Sequence, residues 1–199
     1  MKRALSAIFL IAFTAFFMAG CSGVRLVDSD VTAFPRWSAA PPGPGTAYRF
    51  ERLPSQQAVG AQQDQVEGLS RSALAKVGME LNPPLARYSV QVLLNTQRVV
   101  RLPYDGWGGP GVFLAGGNRG ASLGLSFPLG VSEPDYFKRE LSILMRDVAT
   151  QQVVFETRAL HDGVWSDTLA VLPAMLDAAL RGFPQPPPGT RRINVEIPR

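Results

Sequence analysis

The chain has 199 residues, 46% hydrophobic and 18% charged, enough for one domain with a packed core and no disulfide support. The formal charge of +4 falls to +2, with 18 basic against 16 acidic residues, once Lys2 and Arg3 leave with a cleaved leader; nucleic-acid binding is not expected from so weak a balance. A single Cys excludes an internal disulfide, and one Cys with one His argues against a metal cage, so neither metal nor cofactor is expected.

Lys2 and Arg3 precede an apolar run from Ala4 to Met18 that only Ser6 and Thr14 interrupt. It is shorter than the roughly 20 residues of a spanning helix and fits a signal-peptide core followed by small residues. Met18-Ala19-Gly20-Cys21 resembles the bacterial lipobox, with Met where Leu is usual. That likeness implies cleavage after residue 20 and lipid on Cys21, whose two or more acyl chains hold durably where one does not. The expected partner is therefore a membrane, reached through the N-terminal anchor, with an envelope protein as a second candidate. Ser22 rather than Asp after the Cys favours export to the outer membrane.

The mature chain is expected to be a single domain over 24–199, behind a tether of residues 21–23. Alternation in Val24-Arg25-Leu26-Val27-Asp28 starts a strand about three residues, or roughly 10 Å, after Cys21. Ser38 to Gly45 is a Pro- and Gly-rich loop, and Ala47 to Leu53 a short strand. Val66, Leu69, Ala73, Leu74 and Val77 are spaced for one face of a helix over 61–77, with Gly78 at its left-handed end. Strands follow over 86–102, 136–148 and 153–160, the last two forming a hairpin across the polar turn 149–152. On 136–148, Phe137, Leu141, Ile143 and Met145 take one face. They are expected to pack with Val90, Val92 and Phe155 against Leu69, Leu74, Leu176 and Leu180.

Asp167 caps a second helix whose apolar face is Leu169, Leu172, Leu176, Ala179 and Leu180. Pro173 either kinks that helix or opens its main part. Ile193, Val195 and Ile197 mark a final strand. The order predicts an α+β domain: a mostly antiparallel sheet with two α-helices packed on one face.

Tyr48-Arg49-Phe50-Glu51-Arg52-Leu53-Pro54-Ser55-Gln56-Gln57, Ala86 to Val92, Met145-Arg146-Asp147, Phe155 to Ala159 and His161 to Asp167 are the most distinctive stretches. Together they resemble one branch of the proteobacterial "domain of unknown function 4136" lipoproteins, from about Val24 to Ile197. The resemblance implies an α+β envelope lipoprotein. It carries over one functional position, the lipidated Cys21, and no catalytic residue.

Two stretches remain as sites. His161, Asp162 and Ser166 are the residue types of a hydrolase triad, but they fall within six positions and no nucleophile elbow accompanies them. A turn followed by a helix cap accounts for them, and no catalytic residue is expected. The segment of about 103–130 holds nine glycines without a phosphate-binding spacing. It reads as a mobile strand connection, and its Tyr104, Trp107, Phe113 and Arg119 are the candidates for touching a ligand or partner. The leading expectation is a non-enzymatic, lipid-anchored envelope protein that binds or supports an assembly. The alternatives are a ligand- or lipid-binding accessory of an envelope transport system and, third, an envelope hydrolase.

Overall fold

The computed structural model describes residues 23–38, 40–100, 111–117, 120–126 and 135–198, with backbone alone for 111–117 and 120–126. Among these, β1 (Val24–Pro35), β2 (Thr46–Phe50), β3 (Met79–Leu81), β4 (Tyr88–Val99), β7 (Tyr136–Asp147), β8 (Val153–Gly163) and β9 (Arg191–Pro198) form one sheet in the order β3-β2-β4-β7-β8-β1-β9. A separate hairpin pairs β5 (Gly111–Gly117) with β6 (Gly120–Ser126). The helices are a short α1 (Pro54–Ala58), α2 (Gly60–Lys76) and α3 (Thr168–Ala179). The β2–β3 and β2–β4 pairs are parallel and all others antiparallel. The fold is α+β, with a mostly antiparallel sheet and two main helices.

Side-chain parity divides the sheet into two faces. Val27 and Val31 on β1, Val90 and Val92 on β4, Leu141, Ile143 and Met145 on β7, and Phe155 and Ala159 on β8 are all buried. They share one core with Leu74 of α2 and with Leu172, Leu176 and Leu180 at α3; Leu69 packs against it half-buried. The expected facing of β7 holds for Leu141, Ile143 and Met145, whereas Phe137, near the start of the strand, is half-buried and is not part of that core. Trp37, just beyond β1, closes the core by stacking on Phe155 at 5.6 Å, and its indole Nε1 donates to the Pro184 carbonyl at 2.9 Å. Asp167 caps α3 as its sequence implies, its carboxylate accepting from Ala170 N at 3.1 Å. Gly78 adopts φ +84° beyond α2, where a Cβ would also sit 3.2 Å from Pro44 Cα.

Several expectations change. β1 is twelve residues long, because alternation continues through Ser29 and Thr32, polar residues that a hydrophobicity count passes over. The strand expected over 47–53 ends at Phe50, and Pro54 opens α1, where its missing N–H is harmless. β3, three residues long, carries too little periodicity to be seen. One uninterrupted helix runs through Pro173, and Leu169 is 40% exposed while Val171 and Met175 take the buried positions. The connection expected as a loop over 103–130 contains the β5–β6 hairpin: apolar residues at 112–114, 123 and 125 supply strand propensity between the glycines, and only two residues separate the strands.

Candidate functional site

The face of the sheet turned away from α2 and α3 has no layer over it among the described residues. It displays the even positions of β1, β7, β8 and β9 and the odd positions of β4, set there by pleat and register. A concavity of about 390 Å³ opens on it, with Asp28, Asp30, Lys138, Glu140, Asp162 and Arg192 among its lining residues. Arg192 Nη2 lies 2.5 Å from Asp28 Oδ2 and its Nε 3.9 Å from Asp30 Oδ1. The lining is thus of mixed charge and rich in hydrogen-bonding groups, which suits a polar ligand better than a lipid chain. Among the described residues, no group of three or more His, Cys, Asp or Glu side chains is placed to hold a metal ion.

Behind this wall, on the helix side, β7 and β8 place Arg139 and His161 opposite each other, 1% and 2% exposed. Arg139 donates through Nε to Thr168 Oγ1 at 3.0 Å and through Nη2 to the Trp165 carbonyl, and its guanidinium lies over the Phe137 ring. Its Nη1 is buried without a partner. Burial lowers the Arg139 pKa, and the Asp167 carboxylate opposes that shift. His161 Nδ1 sits 2.6 Å from the Asp28 carbonyl, and because a carbonyl only accepts, Nδ1 is the protonated nitrogen. The buried Nε2 has no partner. Asp28 thereby serves both faces, its carbonyl holding His161 and its carboxylate taking Arg192.

The triad types are not brought together. His161 points inward and Asp162 lines the open concavity, as successive residues of a strand must, while Ser166 sits in the turn before the α3 cap. Asp162 is therefore not the group that orients His161; the Asp28 carbonyl is. Cys21, Tyr104, Trp107 and Arg119 lie outside the described residues, and of Phe113 only the β5 backbone is described. The sequence reading missed Arg139. Its signal was parity: it falls between Phe137 and Leu141 on the apolar side of β7, where a charge needs a buried partner. Asp28 and Arg192, 164 positions apart, left no such signal.

The stretches that make this sequence distinctive prove to be largely structural. Tyr48, Tyr88 and Phe155 are core residues, and buried Gln56 donates through Nε2 to the Val92 carbonyl at 2.7 Å, tying α1 to β4. Asp147 holds the β7–β8 turn by accepting from Ala149 N at 2.9 Å and Thr150 N at 3.1 Å.

No curated protein matches the chain. Among solved structures, a PDZ domain protein from Parabacteroides distasonis is similar at a TM-score of 0.51 and 10% identity, over 94% of this chain. The chain spans 42% of that protein's length, and the likeness is one of fold alone. Two PelC dodecamers from Paraburkholderia phytofirmans give TM-scores of 0.42 and 0.40 at 12% identity, over 80% and 76% of this chain and 99% and 94% of theirs. The family model described as "Domain of unknown function (DUF4136)" matches residues 30–185, from the middle of β1 to just beyond α3, and the chain belongs to that family.

Proposed function

We propose that the chain is a non-enzymatic, lipid-anchored protein of the bacterial cell envelope, held in the outer membrane on its periplasmic side and acting by binding a partner. The observation that carries this reading is Met18-Ala19-Gly20-Cys21 at the end of an apolar run, with the first strand starting only three residues later at Val24. The open, mixed-charge concavity supports a binding role. The separation of His161 from Asp162 onto opposite faces weighs against the hydrolase reading.

Mass spectrometry of the mature protein tests the anchor. An acylated Cys21 at the new N-terminus is expected, and Cys21→Ser should leave an unlipidated, uncleaved or mislocalised precursor; any other mature N-terminus rejects the reading. Crosslinking in intact envelopes from a photoreactive residue at Asn95 then tests the binding face. Asn95 is exposed and lines the concavity. A discrete adduct supports a protein partner.

The second reading, a small-ligand accessory of an envelope transport system, is favoured by the same concavity. It predicts a bound polar molecule released when the purified protein is denatured.

A further inference from the structure

One end of the sheet collects the start of β1 and the ends of its neighbours. Val24 pairs with Pro198 of β9, Phe137 with Gly163 of β8, and Tyr136 with Val99 of β4. Around that end, four aliphatic residues are exposed: Val24 and Leu26 at 54% each, Val100 at 60% and Val164 at 46%. They come from three distant chain segments, so their meeting is a product of the fold and not of a local apolar run. Between Val24 and Leu26, Arg25 turns to the helix side and lies over the Trp165 ring, its Cζ 4.5 Å from the centroid.

We propose that this end of the sheet seats directly on the bilayer, with Val24, Leu26, Val100 and Val164 entering the interfacial layer and Arg25 supplying a cation near the lipid phosphates. The inference rests on the lipid-anchor reading. From Cys21 to Val24 the chain reaches at most roughly 10–11 Å, of which the headgroup region of the anchoring leaflet takes up about 5–7 Å. A rim tethered so closely stays within about 5 Å of the headgroups, where its exposed side chains can enter them. Exposed aliphatic groups beside a cation and an aromatic ring are the composition that partitions into an interface.

The other end of the sheet also exposes apolar side chains, Phe34 at 52% and Val153 at 37%. At about 3.3 Å per strand residue, Phe34 lies roughly 30 Å from Val24, so the tether cannot seat both ends. The anchor thus selects which rim meets lipid and orients the sheet with its strands rising from the membrane.

The test uses the full chain, matured in cells and reconstituted into phosphatidylcholine–phosphatidylglycerol vesicles that contain lipid with a nitroxide on the acyl chain near the headgroup. Because acylation blocks the Cys21 thiol, Val164→Cys or Val153→Cys supplies the one reactive thiol for a fluorophore. Quenching at position 164 should exceed that at 153 several-fold, and Leu26→Glu in the Val164→Cys background should remove most of it. Equal quenching at both positions, none at 164, or no effect of Leu26→Glu, in protein whose mass includes lipid on Cys21, overturns the rim. A mass without that lipid rejects the anchor reading instead. The rim is then judged with Cys21→Ser added to each labelled variant, so that position 164 or 153 again carries the one thiol, and the chain added to the same vesicles: selective quenching at 164 upholds it, and none overturns it.

Discussion

Arg139 and His161 face each other across β7 and β8 on the helix side of the sheet, the one guanidinium and the one imidazole buried there among the described residues. Each is held by a backbone carbonyl from another element, Trp165 before α3 for Arg139 and Asp28 of β1 for His161. The pair therefore joins three strands and the start of α3. Its donors are directional, and a flexible ammonium cannot reproduce the planar fork. Arg139→Lys is expected to lose about 1–3 kcal/mol, since one of the Trp165 and Thr168 contacts must go and a buried acceptor is left unpaired. Urea denaturation against the unaltered chain measures it.

Gly163 ends β8 beneath the same imidazole. A Cβ there would lie 3.0 Å from His161 Nε2 and 3.4 Å from its Cε1. The ring is held at Nδ1 by Asp28 and cannot retreat without breaking that contact. Gly163→Ala should cost about 1–3 kcal/mol as an overpacked site. His161 is the only His in the chain, so its imidazole resonances are unambiguous by NMR and should shift in the variant. An unmoved imidazole would show that the ring has no such restraint.

Tyr48 is fully buried and its hydroxyl has no hydrogen-bond partner. Burial pushes the phenol up from 10.0 to about 12, with Arg71 opposing the shift. Between those pH values the unfolded chain releases a proton that the folded protein keeps. Stability is untouched by this group below pH 10 and falls as the pH rises through 12. Tyr48→Phe should remove that part of the alkaline loss, about 3 kcal/mol at most, leaving the portion due to Tyr88, whose pKa burial also raises. At neutral pH the variant should gain about 1 kcal/mol, because an unsatisfied buried hydroxyl is gone. Denaturation curves at pH 8 and pH 11 test both statements.

Leu141 sits at 0% exposure in the middle of β7, with Leu94 opposite on β4 and Ala159 on β8. Leu141→Ala should destabilise the domain by about 2–5 kcal/mol, according to how far the neighbours close the cavity. Lys138→Ala, on the opposite face of the same strand, should change stability by less than about 0.5 kcal/mol. Equal effects at the two positions would invert the assigned facing.

The sequence by itself determined the elements whose periodicity is long and unbroken: β4, β7, β8, α2 and α3, the β7–β8 hairpin, the Asp167 cap, and with them the α+β class. Local physics suffices there, because alternation, helical spacing and capping chemistry act between residues close in the chain. The resemblance of Met18-Ala19-Gly20-Cys21 to a lipobox is legible for the same reason, resting on four consecutive residues. Only the tertiary structure decided the rest. The strand order, with β1 inserted between β8 and β9, depends on pairings between residues more than a hundred positions apart, such as Val31 with Ala159 and Val27 with Val195. The concavity exists because that order sets Asp28 and Arg192 beside Lys138 and Asp162 on one face. Apolar alternation on β7 marks the inward side but cannot say that Arg139 is acceptable there; that follows from the Trp165 carbonyl, the Thr168 hydroxyl and the Phe137 ring converging on it. Burial of a charge is tolerable only where distant polar groups meet it, and their arrival is a property of the assembled fold.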